Sequence, residues 1–277
     1  MRNLLKYELK SRIGAILGWG ISLALFGLIY ITIYPEFRDQ FFSLGDSSLW
    51  KAMKFEIGTF EGFLASIVVQ LIPVYLGIYI IINSTDTLAG EEDRGILEML
   101  LSLPIPRWQI VTVKATAISI ASFVILVLSG LGSAVALQSV KAIVETNVTP
   151  GSLFLIILSG WPITFVFIMI GLFLSAYLPN RRSAAALMTL FFIASYLAEN
   201  LTNFVPSLGK FRCLTLFTYF DSSADVFTKG VQTGDILTLF ALAAIFFVLA
   251  VLSFERRDVT VGASPLQRKK MNRKQES

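Results

Sequence analysis

Between Ser84 and Lys114 the chain gathers Asp86, Glu91, Glu92, Asp93, Arg94, Glu98, Arg107 and Lys114. Carboxylates so close together could bind a metal, move protons or pair with cations. The first two uses need helpers that are missing. There is no histidine anywhere, which removes the commonest metal ligand and the commonest general base near neutral pH. Cys213 is the only cysteine, so it has no disulfide partner, no zinc spacing and no imidazole to activate it. No G-x-x-x-x-G-K-[ST] loop is present to cradle the phosphates of ATP. Charge-assisted recognition of another surface is the use that remains. The apolar residues of the stretch fit it: Leu88, Ile96, Met99, Leu100 and Leu103 recur at three- and four-residue spacings, the pattern of an amphipathic helix. Pro104 and Pro106 then stop that helix, since proline lacks the N–H and disfavours helix in the residue before it. Trp108 follows where an amphipathic ring anchors at lipid headgroups.

What holds this stretch in place is a membrane domain. The mean hydropathy is +0.71, with 55% hydrophobic and only 15% charged residues, outside the range of soluble domains. Six long apolar runs predict an all-α fold with six transmembrane helices, at about residues 13–34, 62–84, 115–138, 152–178, 183–205 and 236–254. Pro73 and Pro162 are expected to kink the second and fourth. Each charge costs ~3 kcal/mol at the centre of a membrane helix, so eight would cost roughly 24 kcal/mol. The 84–114 stretch therefore belongs in water against one membrane face. Residues 1–12 alternate Arg2, Lys6, Lys10 and Arg12 with leucines, and Leu5 and Leu9 share one helix face; this predicts an amphipathic interfacial helix. The apolar run after them has no small-residue cleavage pattern, so a retained first span is expected rather than a signal peptide. Residues 1–255 form one membrane domain and 256–277 a basic tail. With both termini inside, 16 of the 23 lysines and arginines face the cytoplasm, the distribution that the positive-inside rule selects.

The spans hold almost no ionisable group, Glu199 near the end of the fifth being the exception, expected at a water interface. Charges inside membranes usually mark ion or proton pathways, so their scarcity argues against an ion-coupled carrier. Gly14 and Gly18 form a small-xxx-small pair suited to close helix packing or a dimer contact. Glu91-Glu92 distantly resembles the glutamate pair of intramembrane metal-dependent proteases, but lies outside the membrane and lacks a histidine. Asn147-Val-Thr and Asn200-Leu-Thr match the glycosylation pattern, a weak three-residue signal.

Gly90-Glu91-Glu92, Arg94-Gly95, Leu97-Glu98, Leu100-Leu101, Pro104, Arg107 and Lys114 together resemble the cytoplasmic loop of ABC-2 type transporter permeases, G-E-E-x-R-G-T-L-E-x-L-L-x-x-P-x-x-R, with Ile96 where threonine is usual. Phe217-Thr-Tyr219-Phe220-Asp221 through Asp225 and Gly234-Asp235 more loosely resembles the family's outer segment before the last helix. The resemblance implies the membrane subunit of an ABC exporter in a multi-pass cell membrane. It implies no catalytic site and no cofactor in this chain. ATP and magnesium would be held by a separate ATPase subunit, and a second copy or a homologous permease would complete the translocation path between membrane lipids. Nucleic acid has no part in it. Residues around Glu91 to Leu103 would be the coupling helix, with exposed Glu91, Glu92 and Glu98 meeting the ATPase by charge and the leucine face by burial. The outer aromatic segments suggest an amphiphilic substrate such as a drug, antibiotic or lipid. The alternatives are an ion-coupled secondary transporter and a membrane-embedded lipid-modifying enzyme.

Overall fold

The computed structural model describes residues 2–45, 58–204, 215–220 and 223–257. Six helices in it are long and apolar enough to cross a membrane, and no strand occurs among the described residues. In chain order the helices are α1 (Arg2–Gly45), the helical run α2 (Phe60–Asp93), α3 (Ile96–Leu101), α4 (Arg107–Val140), α5 (Pro150–Leu158), α6 (Trp161–Tyr177), α7 (Arg181–Phe204), α8 (Val226–Lys229) and α9 (Thr233–Arg256). Helices α1, α2, α4, α5 with α6, α7, and α9 are the six spans. Cys213 and the tail beyond residue 257 lie outside the described residues.

The interfacial segment expected at residues 1–12 is not a separate helix. It runs unbroken into the first span as α1, continuing through Pro35 to Gly45. The reason is packing: Glu8 is only 6% exposed and belongs to the bundle, as described below. Helix α1 lies along α4 so closely that a Cβ on Gly132 would come 2.8 Å from the Ala24 carbonyl oxygen. Gly20 and Gly27 likewise sit against Leu128 and Ser133. Gly14 and Gly18 do not share in this: no neighbour lies within 4 Å of where their Cβ atoms would be. Among the described residues, then, the small-residue pair packs against nothing.

Helix α2 is irregular at two places. Leu64–Val69 is π-helical, with Gln70 N–H donating to the Ala65 carbonyl at 2.9 Å. Pro73 follows, lacking the N–H that would otherwise meet the Val69 carbonyl. The second π-helical turn, Asp86–Gly90, lies in the charged stretch. In the fourth span, Ser159 and Gly160 separate α5 from α6, with Pro162 in the first turn of α6. A capping box between Thr149 and Ser152, with Pro150 at the first helical position, opens α5.

Two polar ties hold the loops at one end of the bundle. Glu61 accepts a hydrogen bond from Thr146 at 2.6 Å. Glu199, half-buried, accepts from Thr215 at 2.8 Å and from Thr218, which anchors the 3-10 turn Leu216–Tyr219 to α7. The start of α1, the 86–107 segment, the α6–α7 loop and the end of α9 all meet at the opposite end of the bundle.

Candidate coupling site

The charged stretch is not one amphipathic helix. Asp86 to Asp93 extends the second span; Arg94 and Gly95 then turn the chain, and α3 covers only Ile96–Leu101. Gly95 has φ +76°, a left-handed conformation that glycine adopts without steric cost. Gly90 is required for a different reason: a Cβ there would come 2.3 Å from Asp86 Oδ1 and 3.2 Å from Arg181 Cδ. Ser175 on α6 repairs the ladder that the π-helical turn disturbs. Its hydroxyl accepts from the N–H groups of Leu88 (3.2 Å) and Ala89 (2.9 Å) and donates to the Thr85 carbonyl (3.0 Å).

The acidic residues turn inward. Lys114, two turns into α4, is fully buried. Its ammonium donates to Glu8 Oε1 on α1 at 2.9 Å and to Glu91 Oε1. Arg12 joins the cluster, 3.5 Å from Glu8 Oε2, and donates to Asn83 Oδ1 at 2.8 Å. Glu8 and Glu91 against Lys114 and Arg12 make a neutral set, which is the condition for burying charges.

Glu92 is also buried and pairs with Arg257 Nη2 at 2.6 Å. The same guanidinium donates to the carbonyls of Ser175 (3.1 Å) and Ala176 (3.0 Å) at the end of α6. Arg107 donates to the carbonyls of Phe254 (3.2 Å), Glu255 (3.3 Å) and Arg257 (2.5 Å). Both arginines thus satisfy carbonyls that a helix end leaves unpaired.

On the third side Asp86 receives both Arg94 Nη1 (2.8 Å) and Nη2 (3.0 Å), a bidentate pair. That hydrogen-bonded carboxylate pushes the Arg94 pKa up. Arg181 Nε lies 3.1 Å from the same Asp86, and the Arg181 N–H donates to Asp93 Oδ2 at 3.1 Å. Asp93 therefore sits where α7 begins and the helix dipole favours negative charge.

Of the residues that the motif singles out, Glu91 ties the segment to Lys114 on α4, Glu92 to Arg257 at the end of α9, and Arg107 joins the start of α4 to the last turn of α9. Arg94 closes on Asp86 within the segment, and Gly90 and Gly95 allow its close approach and its turn. The expectation of exposed Glu91 and Glu92 is corrected: both are spent on partners within the chain. Leu97 is fully buried, and Leu100 and Leu101 pack partly buried against the core. Glu98 is half-buried and Pro104 exposed. The apolar groups facing outward are Ile96, Leu103 and above all Met99, 73% exposed. Glu8, Arg12, Asn83, Ser175, Arg181 and Arg257 escape sequence reasoning, because only the fold brings them to the motif. The sole signal, the concentration of cations in the segments predicted inside, covers only Arg12, Arg181 and Arg257.

Three features now stand together: six spans, a charged segment fastened at one end of the bundle, and a short helix offering an apolar ledge there. No curated protein matches the chain. A scan against protein families matches residues 2–259, nearly the whole length, to the ABC-2 family transporter proteins, and the chain belongs to that family as the multi-pass membrane component of an ABC transporter.

Proposed function

We propose that the chain is the membrane subunit of an ATP-driven exporter, coupled through α3 to a separate ATPase subunit that binds ATP and magnesium. One observation carries the reading. Most charges of the stretch are consumed in fixing the 86–107 segment to α4, α7 and the end of α9, with Lys114 carrying the tie on to Glu8 of α1, while Ile96, Met99 and Leu103 are left outward. A rigidly held apolar ledge is suited to transmit a push, and exposed apolar residues of this size fit a partner's groove. The end of the bundle that carries it is the cytoplasmic end on the distribution of lysine and arginine.

A second copy completes the path in this reading. Helices α1, α2 and α7 touch in series, through Trp19 and Tyr75 (ring centroids 5.3 Å apart) and through Phe192 over Gly77. They expose Leu17, Ile21, Ile78, Ile82, Leu190 and Leu197, and the open Gly14 and Gly18 lie on α1 beside them. The substrate is an amphiphile that passes between the two copies.

Two measurements test this. The mass of the detergent-extracted complex, made with an ABC ATPase co-expressed from a neighbouring reading frame, should show two permeases and two ATPases; a monomer that still transports would remove the dimer path. In a Cys213→Ser background, Met99→Cys should react with a membrane-impermeant maleimide only after the membrane is opened, and bound ATPase should shield it. Labelling in intact cells would invert the topology.

A further inference from the structure

A groove of about 750 Å³ runs between α4, α6 and α9, lined by Thr112, Thr116, Ser119, Phe165, Ala243 and Phe247 among others. It opens sideways past Ile120, Phe123 and Ala244, all exposed on the surface that faces lipid. Its few polar groups are spent. The hydroxyls of Thr112, Thr116 and Ser119 donate to the carbonyls of Trp108 (2.8 Å), Thr112 (2.7 Å) and Ala115 (2.8 Å), and the Trp161 indole donates to the Ser119 carbonyl at 3.2 Å. Nothing in the lining asks for a polar ligand, and the volume falls in the range of small-molecule pockets.

Both ends of the groove are defined. The outer end is closed by rings: Trp161 stands 5.5 Å from Phe123, 5.9 Å from Phe240 and 5.4 Å from Phe165. Below the inner end, past the last lining residues Thr112 and Phe247, Arg107 reaches from α4 to the last turn of α9 and places its guanidinium 5.9 Å from the Phe254 ring centre. Its partners among the described residues are neutral carbonyls and that ring. Arg256 is exposed at the same end, with Glu255 as the opposing carboxylate and Arg257 already paired to Glu92. Trp108, 44% exposed, lies one helical turn below Thr112 on the groove's face, at headgroup depth. From Thr112 to Phe123 the groove follows about 16 Å of α4 at 1.5 Å per residue, against about 15 Å for half of a ~30 Å hydrocarbon core.

We infer that this groove binds one acyl chain of an anionic phospholipid from the leaflet at the ion-pair end. The chain lies along α4 with its tip against Trp161, and the headgroup meets Arg107. Length, apolarity and the cationic mouth all fit that occupant. A helix from a second copy would leave the guanidinium of Arg107 without a counter-charge.

The test uses the full chain reconstituted in vesicles, with Trp161 as the only tryptophan (Trp19→Phe, Trp50→Phe, Trp108→Phe). Phosphatidylglycerol brominated near the chain end is mixed into phosphatidylcholine, and quenching of Trp161 fluorescence is read against mole fraction. Saturable quenching is expected, with a roughly fivefold preference for brominated phosphatidylglycerol over brominated phosphatidylcholine, the attraction of about one interfacial cation. Arg107→Gln should abolish the preference and keep the quenching. Ala244→Phe, which fills the groove from its open side, should remove the saturable part. Quenching that rises linearly and equally with both lipids would reduce the groove to ordinary bilayer contact and overturn the inference. No quenching by either would show that protein covers it, which overturns the inference as well.

Discussion

Lys114→Met is expected to deprive the cell of most of its folded protein, although the substituted side chain is apolar and similar in length. The ammonium is fully buried between Glu8 and Glu91. Removing it leaves two carboxylates facing each other out of water, with Arg12, 3.5 Å from Glu8, as the remaining cation. Breaking a buried ionic set from one side costs about 3–5 kcal/mol, a large part of the ~5–15 kcal/mol that keeps a typical domain folded. The cost arises from unpaired charge rather than lost volume, so it should be reversible by removing the charge. Lys114→Met combined with Glu8→Gln and Glu91→Gln should recover most of the yield and melting temperature, because a neutral, well-filled replacement of a buried ion pair is often harmless. Thermal unfolding of detergent-extracted protein measures both variants. A single Lys114→Met variant as stable as the parent would mean that water reaches this cluster.

The same cluster shows where sequence reasoning stops. The six spans are legible because uncharged apolar runs of bilayer length have few other uses, and the charged 84–114 segment is legible as functional because it interrupts them. The partners of its charges are not legible. Glu8 is 106 residues from Lys114, and Arg257 lies beyond the last span; no local periodicity links either to the motif. A carboxylate in a hydrophilic stretch reads as exposed unless the cation that buries it is known.

The apolar pattern misleads in a related way. Leu100 shares the spacing of Ile96, Met99 and Leu103, yet it packs inward while those three point out. A six-residue helix apolar on two sides presents both a core face and an outer face, and spacing alone cannot rank them. Gly95 carries the missing information: its left-handed turn ends the preceding helix and sets the new orientation of α3.

This changes which substitutions examine coupling. Replacing Glu91, Glu92 and Glu98 together by lysine would reverse the charge of two ion-paired carboxylates, Glu92 buried and Glu91 partly buried, so loss of transport there would report misfolding. Met99→Asp with Leu103→Asp is the informative variant. Both side chains are largely exposed, and surface changes away from caps and ion pairs usually shift stability by no more than about 0.5 kcal/mol. In a partner's apolar groove each carboxylate would be desolvated without a counter-ion; central contacts of that kind cost about 2 kcal/mol or more each, together roughly a thousandfold in affinity. The expected result is normal membrane yield and melting temperature, loss of the ATPase from the purified complex, and ATP hydrolysis that substrate no longer stimulates. Glu98→Gln in the same assay should have a much smaller effect, because it removes a charge without placing one in the groove. Full co-purification and stimulated hydrolysis by the double aspartate variant would show that the ledge of α3 faces only water and that coupling runs through another surface.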